Sequence, residues 1–329
     1  MESHFYGKLH NPYHAIISYE LIPPPMNVSD SEKIAYAKCA AEVLLHSPVP
    51  IHVLNLPEIR DEKHLNHIKR PQEFLSKMDN REFALLLYEQ LPHHIDYLIN
   101  HCTVYESWEE QKHWLIETWQ KYKLNNLILV GGDSSQIVYP GPSVTEFAQF
   151  IKKEKNPLFL LGGITIPSRI YTNPQRSEAC RLIEKTKAQL DYFTSQIIYE
   201  AKPVKQLLQE YNHLCNKFGM KPKRIFLSLA PITHAKDVDF LTWLGVHLSE
   251  ESRAYLLSSP IGIGWRSLNK CREIIQDILS FIENEDIKVP IGLNIEHISQ
   301  HNFEMSCIFI NDLGAMYLHY MTHQAKRNR

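Results

Sequence analysis

Short apolar runs along the chain end in turn on Glu20, Asn55, His101, Asp133, Gly163, Gln196, Pro231 and Asn294. If those runs are parallel strands, these residues share one rim of a sheet. Carboxylates, amides and a histidine converging there suit proton transfer to a polar small molecule. Glu20 stands between Tyr19 and Leu21, and an apolar setting raises a carboxyl pKa towards general-acid use. Taken singly, any of these polar groups could instead cap the helix that follows.

The elements that must position them alternate regularly. Apolar stretches at 15–21, 50–54, 95–102, 127–130, 157–161, 191–198, 224–229 and 290–294 read as strands. Between them, amphipathic segments recur at helical spacing, as with Ile34, Ala37, Ala41, Leu44 and Leu45. Ser107 is expected as an N-cap with Glu110 at the capping-box position, opening a helix over 107–121. Further helices are expected at 31–46, 83–91, 143–153, 176–189, 202–218 and 303–323, with two or three between 237 and 282. Strands each followed by a helix imply parallel pairing through crossovers. Eight such units in 329 residues predict a (β/α)8 TIM barrel, an α/β fold, occupying residues 1–329 as one domain. The pattern does not itself show closure, and a doubly wound sheet fits the same alternation.

Composition narrows the function classes. Lys and Arg number 35 against 37 Asp and Glu, with 44% hydrophobic and 22% charged residues. Such a balance lacks the basic surplus of a nucleic-acid binder, and no apolar run reaches the roughly 20 residues of a membrane span. The first seven residues lack the basic and apolar regions of a signal peptide. The six cysteines are widely spaced, with no CxxC, as expected of reduced thiols in a cytoplasmic protein.

In collinear order, the segments SYELIPPP, LILVGGD, DYFTSQIIYE, IFLSLAPI and GLNIEHIS resemble the methylenetetrahydrofolate reductases, whose TIM barrels carry short motifs of this kind in the same sequence. The resemblance spans nearly the whole chain, though each motif is short. It implies reduction of 5,10-methylenetetrahydrofolate to 5-methyltetrahydrofolate, with FAD as cofactor and NADH or NADPH as electron donor. Glu20 matches the proton donor, Asp133 an aspartate beside flavin and folate, and Gln196 the glutamine on the pterin. Asn294 falls near the folate tail. Flavin contacts are expected from Asn55, His101, Gly132 and Lys185, and a homo-oligomer is possible.

The departures gather on the flavin side. Gly131 replaces an arginine of the family motif, and Gly162 to Pro167 replace a segment carrying tyrosine, acid and histidine. Ile99 takes the family histidine position, with His101 one side-chain step along the same face, and Ile295 takes that of an arginine. These losses leave open a non-redox folate- or pterin-binding protein that has lost its flavin. A barrel enzyme with an unrelated substrate is a third reading.

Other signals are weaker. His319 and His323, and His297 and His301, are each four apart, but neither pair has a third ligand nearby in sequence, so no metal site is expected. Gly262-Ile263-Gly264 lacks a third glycine and a preceding strand and reads as a turn. Trp108, Trp114 and Trp119 read as helix packing.

Overall fold

The computed structural model describes residues 4–61, 69–132, 137–154, 159–172 and 176–327. The eight expected strands form β1 (Ile17–Glu20), β2 (Val53–Leu56), β3 (Asp96–Cys102), β4 (Asn126–Val130), β5 (Leu160–Thr165), β6 (Tyr192–Ser195), β7 (Arg224–Leu229) and β8 (Ile291–Glu296). All pair parallel in chain order, and β8 returns to β1, closing the barrel. This (β/α)8 closure excludes the doubly wound alternative.

Around the barrel lie α1 (His4–Leu9), α2 (Asp30–Leu45), α3 (Asn80–Tyr88), α4 (Trp108–Gln120), α5 (Val144–Glu154), α6 (Arg169–Thr172), α7 (Glu178–Lys187), α8 (Ala201–Lys217), α9 (Ala235–Trp243), α10 (Glu250–Leu256), α11 (Ile263–Asn284) and α12 (Phe303–Arg327). Ser107 caps α4 in a full capping box with Glu110, as its sequence predicts, and Ser29 and Glu32 do the same for α2. Gly262, at φ 76°, turns the chain into α11. Several boundaries move: β2 runs to Leu56 rather than ending at 54, and β6 ends at Ser195 rather than at 198. Strand β5 begins at Leu160 and runs through Gly162-Gly163 rather than stopping there; residues 157 and 158, expected to open it, lie outside the described residues. Strand β8 runs two residues past Asn294, to Glu296.

Every strand is buried on both faces, the usual state of a parallel barrel. Alternate residues therefore pack either against the helices or inside the barrel. Ile17, Tyr19, Ile99, Leu227, Leu293 and Ile295 belong to the large core under the helices. Ile16, Val53, Leu98, Ile128, Tyr192 and Phe226 form a second, internal cluster. Tyr192 and Phe226 need room there: a Cβ on Gly162 would come within 2.4 Å of the Tyr192 ring, and one on Gly292 within 2.4 Å of Phe226.

Helix α1, not expected from the sequence, closes the N-terminal end of the barrel. Phe5 is 1% exposed and meets Tyr192 edge-on at 5.4 Å. The Phe5 amide donates to Asp96 Oδ2 at 2.7 Å, and Arg224, 2% exposed, donates to the Asn11 carbonyl at 2.6 Å.

Candidate functional site

With one end plugged, chemistry is confined to the C-terminal rim, where barrel sites form. The strand registers stack the interior in layers of four, each drawn from alternate strands. One upper layer holds Asn55, Ile128, Thr194 and Asn294, and the next holds Glu20, Asn100, Ile164 and Ser228. Gln196 and Glu296 stand above them at the rim.

Glu20 and Glu296 are register partners across β1 and β8. Neighbouring strands lie about 4.8 Å apart, so two carboxyls on the same face of that pair are close. Asn55 Nδ2 donates to Glu20 Oε2 at 2.7 Å. Asn294 Nδ2 donates to Glu296 Oε1 at 3.1 Å and to Ser228 Oγ at 2.9 Å. Burial, and then the charge of Glu296, hold the Glu20 carboxyl well above the ordinary carboxylate range. Burial pushes Glu296 up to about 7, opposed by its hydrogen bonds from Ser228 and Asn294. Like charges this close do not both ionise readily, so the pair retains a proton at neutral pH.

The neighbouring His297 is 1% exposed. Its Nδ1 lies 3.1 Å from the Glu20 carbonyl oxygen, and its Nε2 3.4 Å from the Tyr36 hydroxyl. Burial lowers its pKa to about 4, so the ring is neutral and donates from Nδ1 to the Glu20 carbonyl. The backbone carrying the acid is thereby fixed.

Around the acid pair the interior is rich in unsatisfied acceptors. Among the described residues, the side-chain oxygens of Asn55, Asn100, Asn294 and Gln196 are buried without a hydrogen-bond partner, as are those of Asn126 and Ser18 deeper in the barrel. Such oxygens are costly unless something donates to them. Above them opens a cleft of about 400 Å³, floored by Glu20 and Glu296 and walled by Pro23, Lys77, Phe240 and His297. That volume falls within the usual range of small-molecule sites, about 300–1,000 Å³. Its rim is tied by an antiparallel bridge between Pro25 and Lys77, with Met26 N donating to the Ser76 carbonyl at 2.9 Å. The Arg70 guanidinium packs 4.9 Å from the Trp243 ring centre.

Four expected site residues, Glu20, Asn55, Gln196 and Asn294, share the upper barrel interior, and of these Glu20 lines the cleft. Gln196 donates to the Leu244 carbonyl at 3.0 Å, and its oxygen has no donor among the described residues. Asp133 lies outside the described residues. The remaining three stand elsewhere. His101 points away from the barrel interior, stacked on Trp114 at 3.6 Å between ring centres, with Nε2 2.7 Å from Gln111 and Nδ1 3.1 Å from Glu58. Lys185 is packed on the helix side of Gly163, with Nζ on the Ile164 carbonyl, and burial lowers its pKa to about 8. At Gly132 the close neighbour is protein: a Cβ would come within 2.3 Å of the Tyr139 ring. Asn55, His101, Gly132 and Lys185 therefore do not line one cavity, and as a set they do not fit a flavin.

Sequence reasoning missed Glu296, Asn100 and Ser228, and singled out His297 only as half of a weak metal pair with His301. Glu296 had a usable signal, since it lies two residues beyond Asn294 and so on the same strand face.

No protein-family model and no curated protein matches this sequence. Among solved structures, the chain is similar to an uncharacterized protein from Clostridium thermocellum that binds two copies of 5-methyl-5,6,7,8-tetrahydrofolic acid, with 21% identity and a TM-score of 0.75 over 95% of this chain and 99% of that one. A GH18 chitinase from Pseudoalteromonas aurantia (11% identity, TM-score 0.46, 89% of this chain and 98% of that one) and a 2,3-dimethylmalate lyase (10%, 0.47, 88% and 90%) are far more distant. The first likeness is one of fold along the whole chain.

Proposed function

We propose that the barrel mouth binds a reduced folate, pterin ring inward. The observation that carries this reading is the excess of acceptors: among the described residues, four orphaned amide oxygens share the upper barrel interior with a pair of carboxyls. A reduced pterin presents the complementary edge, with N–H donors on its 2-amino group, N3 and reduced ring nitrogens. The ionised member of the acid pair accepts charge-assisted hydrogen bonds from that edge. The folate bound by the similar Clostridium thermocellum barrel supports the same ligand class.

A second reading adds chemistry, and the proton retained by the acid pair favours it. Opening the methylene bridge of 5,10-methylenetetrahydrofolate to an iminium releases a nitrogen that needs a proton, and Glu20 would supply it. Glu296, and Asp133 on the family resemblance, would offset the positive charge of the iminium. Hydride transfer to that carbon from a reduced nicotinamide would give the methyl product. The chain would then be a methylenetetrahydrofolate reductase-like oxidoreductase. Without that step it is a non-redox folate-binding protein.

Calorimetric titration with 5-methyltetrahydrofolate at pH 7 tests the binding reading. Saturable binding weakened about tenfold or more in Glu296→Gln, the cost of one charge-assisted hydrogen bond, is expected. No binding at millimolar ligand would overturn it. Turnover of methylenetetrahydrofolate with NADH or NADPH, with and without FAD, separates the two readings. In the reductase, Glu20→Gln keeps binding but abolishes turnover.

A further inference from the structure

Two loops at the mouth end of the barrel bring together three metal-ligating side chains. His234 precedes α9, Asp237 lies in its first turn, and His301 sits in the 3-10 turn Gln300–Asn302 after β8. One potential ligand atom from each lies within 4.8 Å of the other two. We propose that these residues bind a zinc ion, which clips the β7–α9 loop to the segment after β8. The proposal is independent of the folate reading.

The arrangement is more organised than a chance surface group. Asp237 is 1% exposed. Its Oδ2 accepts from the amides of Thr233 at 2.8 Å and His234 at 3.0 Å, and from Thr233 Oγ1 at 3.1 Å. Those bonds fix the carboxylate and leave Oδ1 facing His301 Nε2 at 2.9 Å. Thr233 Oγ1 has a single proton and two oxygen neighbours, Asp237 Oδ2 and Asn302 Oδ1. Thr233 Oγ1 also lies 2.9 Å from His234 Nδ1, an outer-shell oxygen of the kind that orients metal-binding histidines. Ser299 Oγ stands beside the His301 ring, 2.9 Å from Nδ1.

Two imidazoles and a carboxylate form a zinc-type donor set, with water completing the tetrahedron. The exposure of His234 leaves that fourth position open to solvent. Neither loop alone supplies the set, because Asp237 and His301 are 64 positions apart. Ser299 and Gln300, beside His301, also line the cleft, so the ion would hold one cleft wall in place.

The test is calorimetric titration of chelator-treated full-length protein with zinc chloride, with wild type compared against His234→Ala and His301→Ala. One strong site per chain is expected, with affinity lowered at least tenfold in each variant and unchanged in His319→Ala. Cobalt(II) should give visible d–d bands that both site variants lose. Asp237 holds the N-terminus of α9 and is left intact; if His301→Ala fails to fold, His234→Ala, with its exposed side chain, carries the test alone. Wild-type zinc affinity in His234→Ala, or no uptake by wild type, overturns the proposal.

Discussion

Replacing Glu296 with glutamine should change how stability depends on pH, by an amount that follows from the acid pair. In the folded chain Glu296 titrates at about 7 against an ordinary value of 4.5. Between those values the native state holds a proton that the unfolded chain has lost, so stability falls as pH rises through this window. At 1.36 kcal/mol per tenfold difference in proton affinity, the loss between pH 5 and 8 is about 2–3 kcal/mol. Glutamine removes it, and relief of Glu20 from its like-charged neighbour acts in the same direction. Buried His52 and His297, both lowered to about 4, gain stability as pH rises from 4 towards 6.5, the opposite sense. They affect both proteins and largely cancel in the difference. With an unfolding entropy of about 2.1 cal/mol/K per residue over 329 residues, the variant should gain about 3–4 °C in Tm on wild type between pH 5 and pH 8. Thermal denaturation of the two proteins across that range reads the gain directly. A difference that stays flat within about 0.5 kcal/mol, the scatter of neutral substitutions, would show that the pair does not store a proton.

Two further outcomes probe the barrel from opposite ends. Asn100→Ala removes one orphaned acceptor and should weaken 5-methyltetrahydrofolate binding about tenfold in the same titration; unchanged affinity would place the pterin elsewhere. Phe5→Ala, at the plugged end, should cost about 3–5 kcal/mol in chemical denaturation while leaving folate affinity intact; a matching loss of affinity would contradict the separation of plug and mouth.

The barrel was readable because each apolar run is followed by an amphipathic helix, and that alternation survives errors of several residues at each boundary. Glu20, Asn55, Gln196 and Asn294 were legible as strand ends. Which face they occupy was not, because a strand buried on both sides loses the alternation that reveals it. His101 shows the consequence: it ends an apolar run as the others do, but its position in β3 turns it towards Trp114 and leaves Asn100 facing the interior. Glu296 was hidden by an early end assigned to β8. The His234, Asp237 and His301 group was hidden by distance along the chain, since its third ligand comes from another loop.

The plug of the barrel sets an order of assembly. Helix α1 leaves the ribosome before every strand, yet Asn11 anchors to Arg224, 213 positions later. The seat for Phe5 also needs Tyr192 and Phe226. At about 5–20 residues per second, the nascent chain waits roughly 10–40 s between making this apolar segment and making its resting place. During that interval Phe5 and Leu9 are exposed to any chaperone that captures apolar peptide. The first described helix of the chain is among the last to find its native contacts.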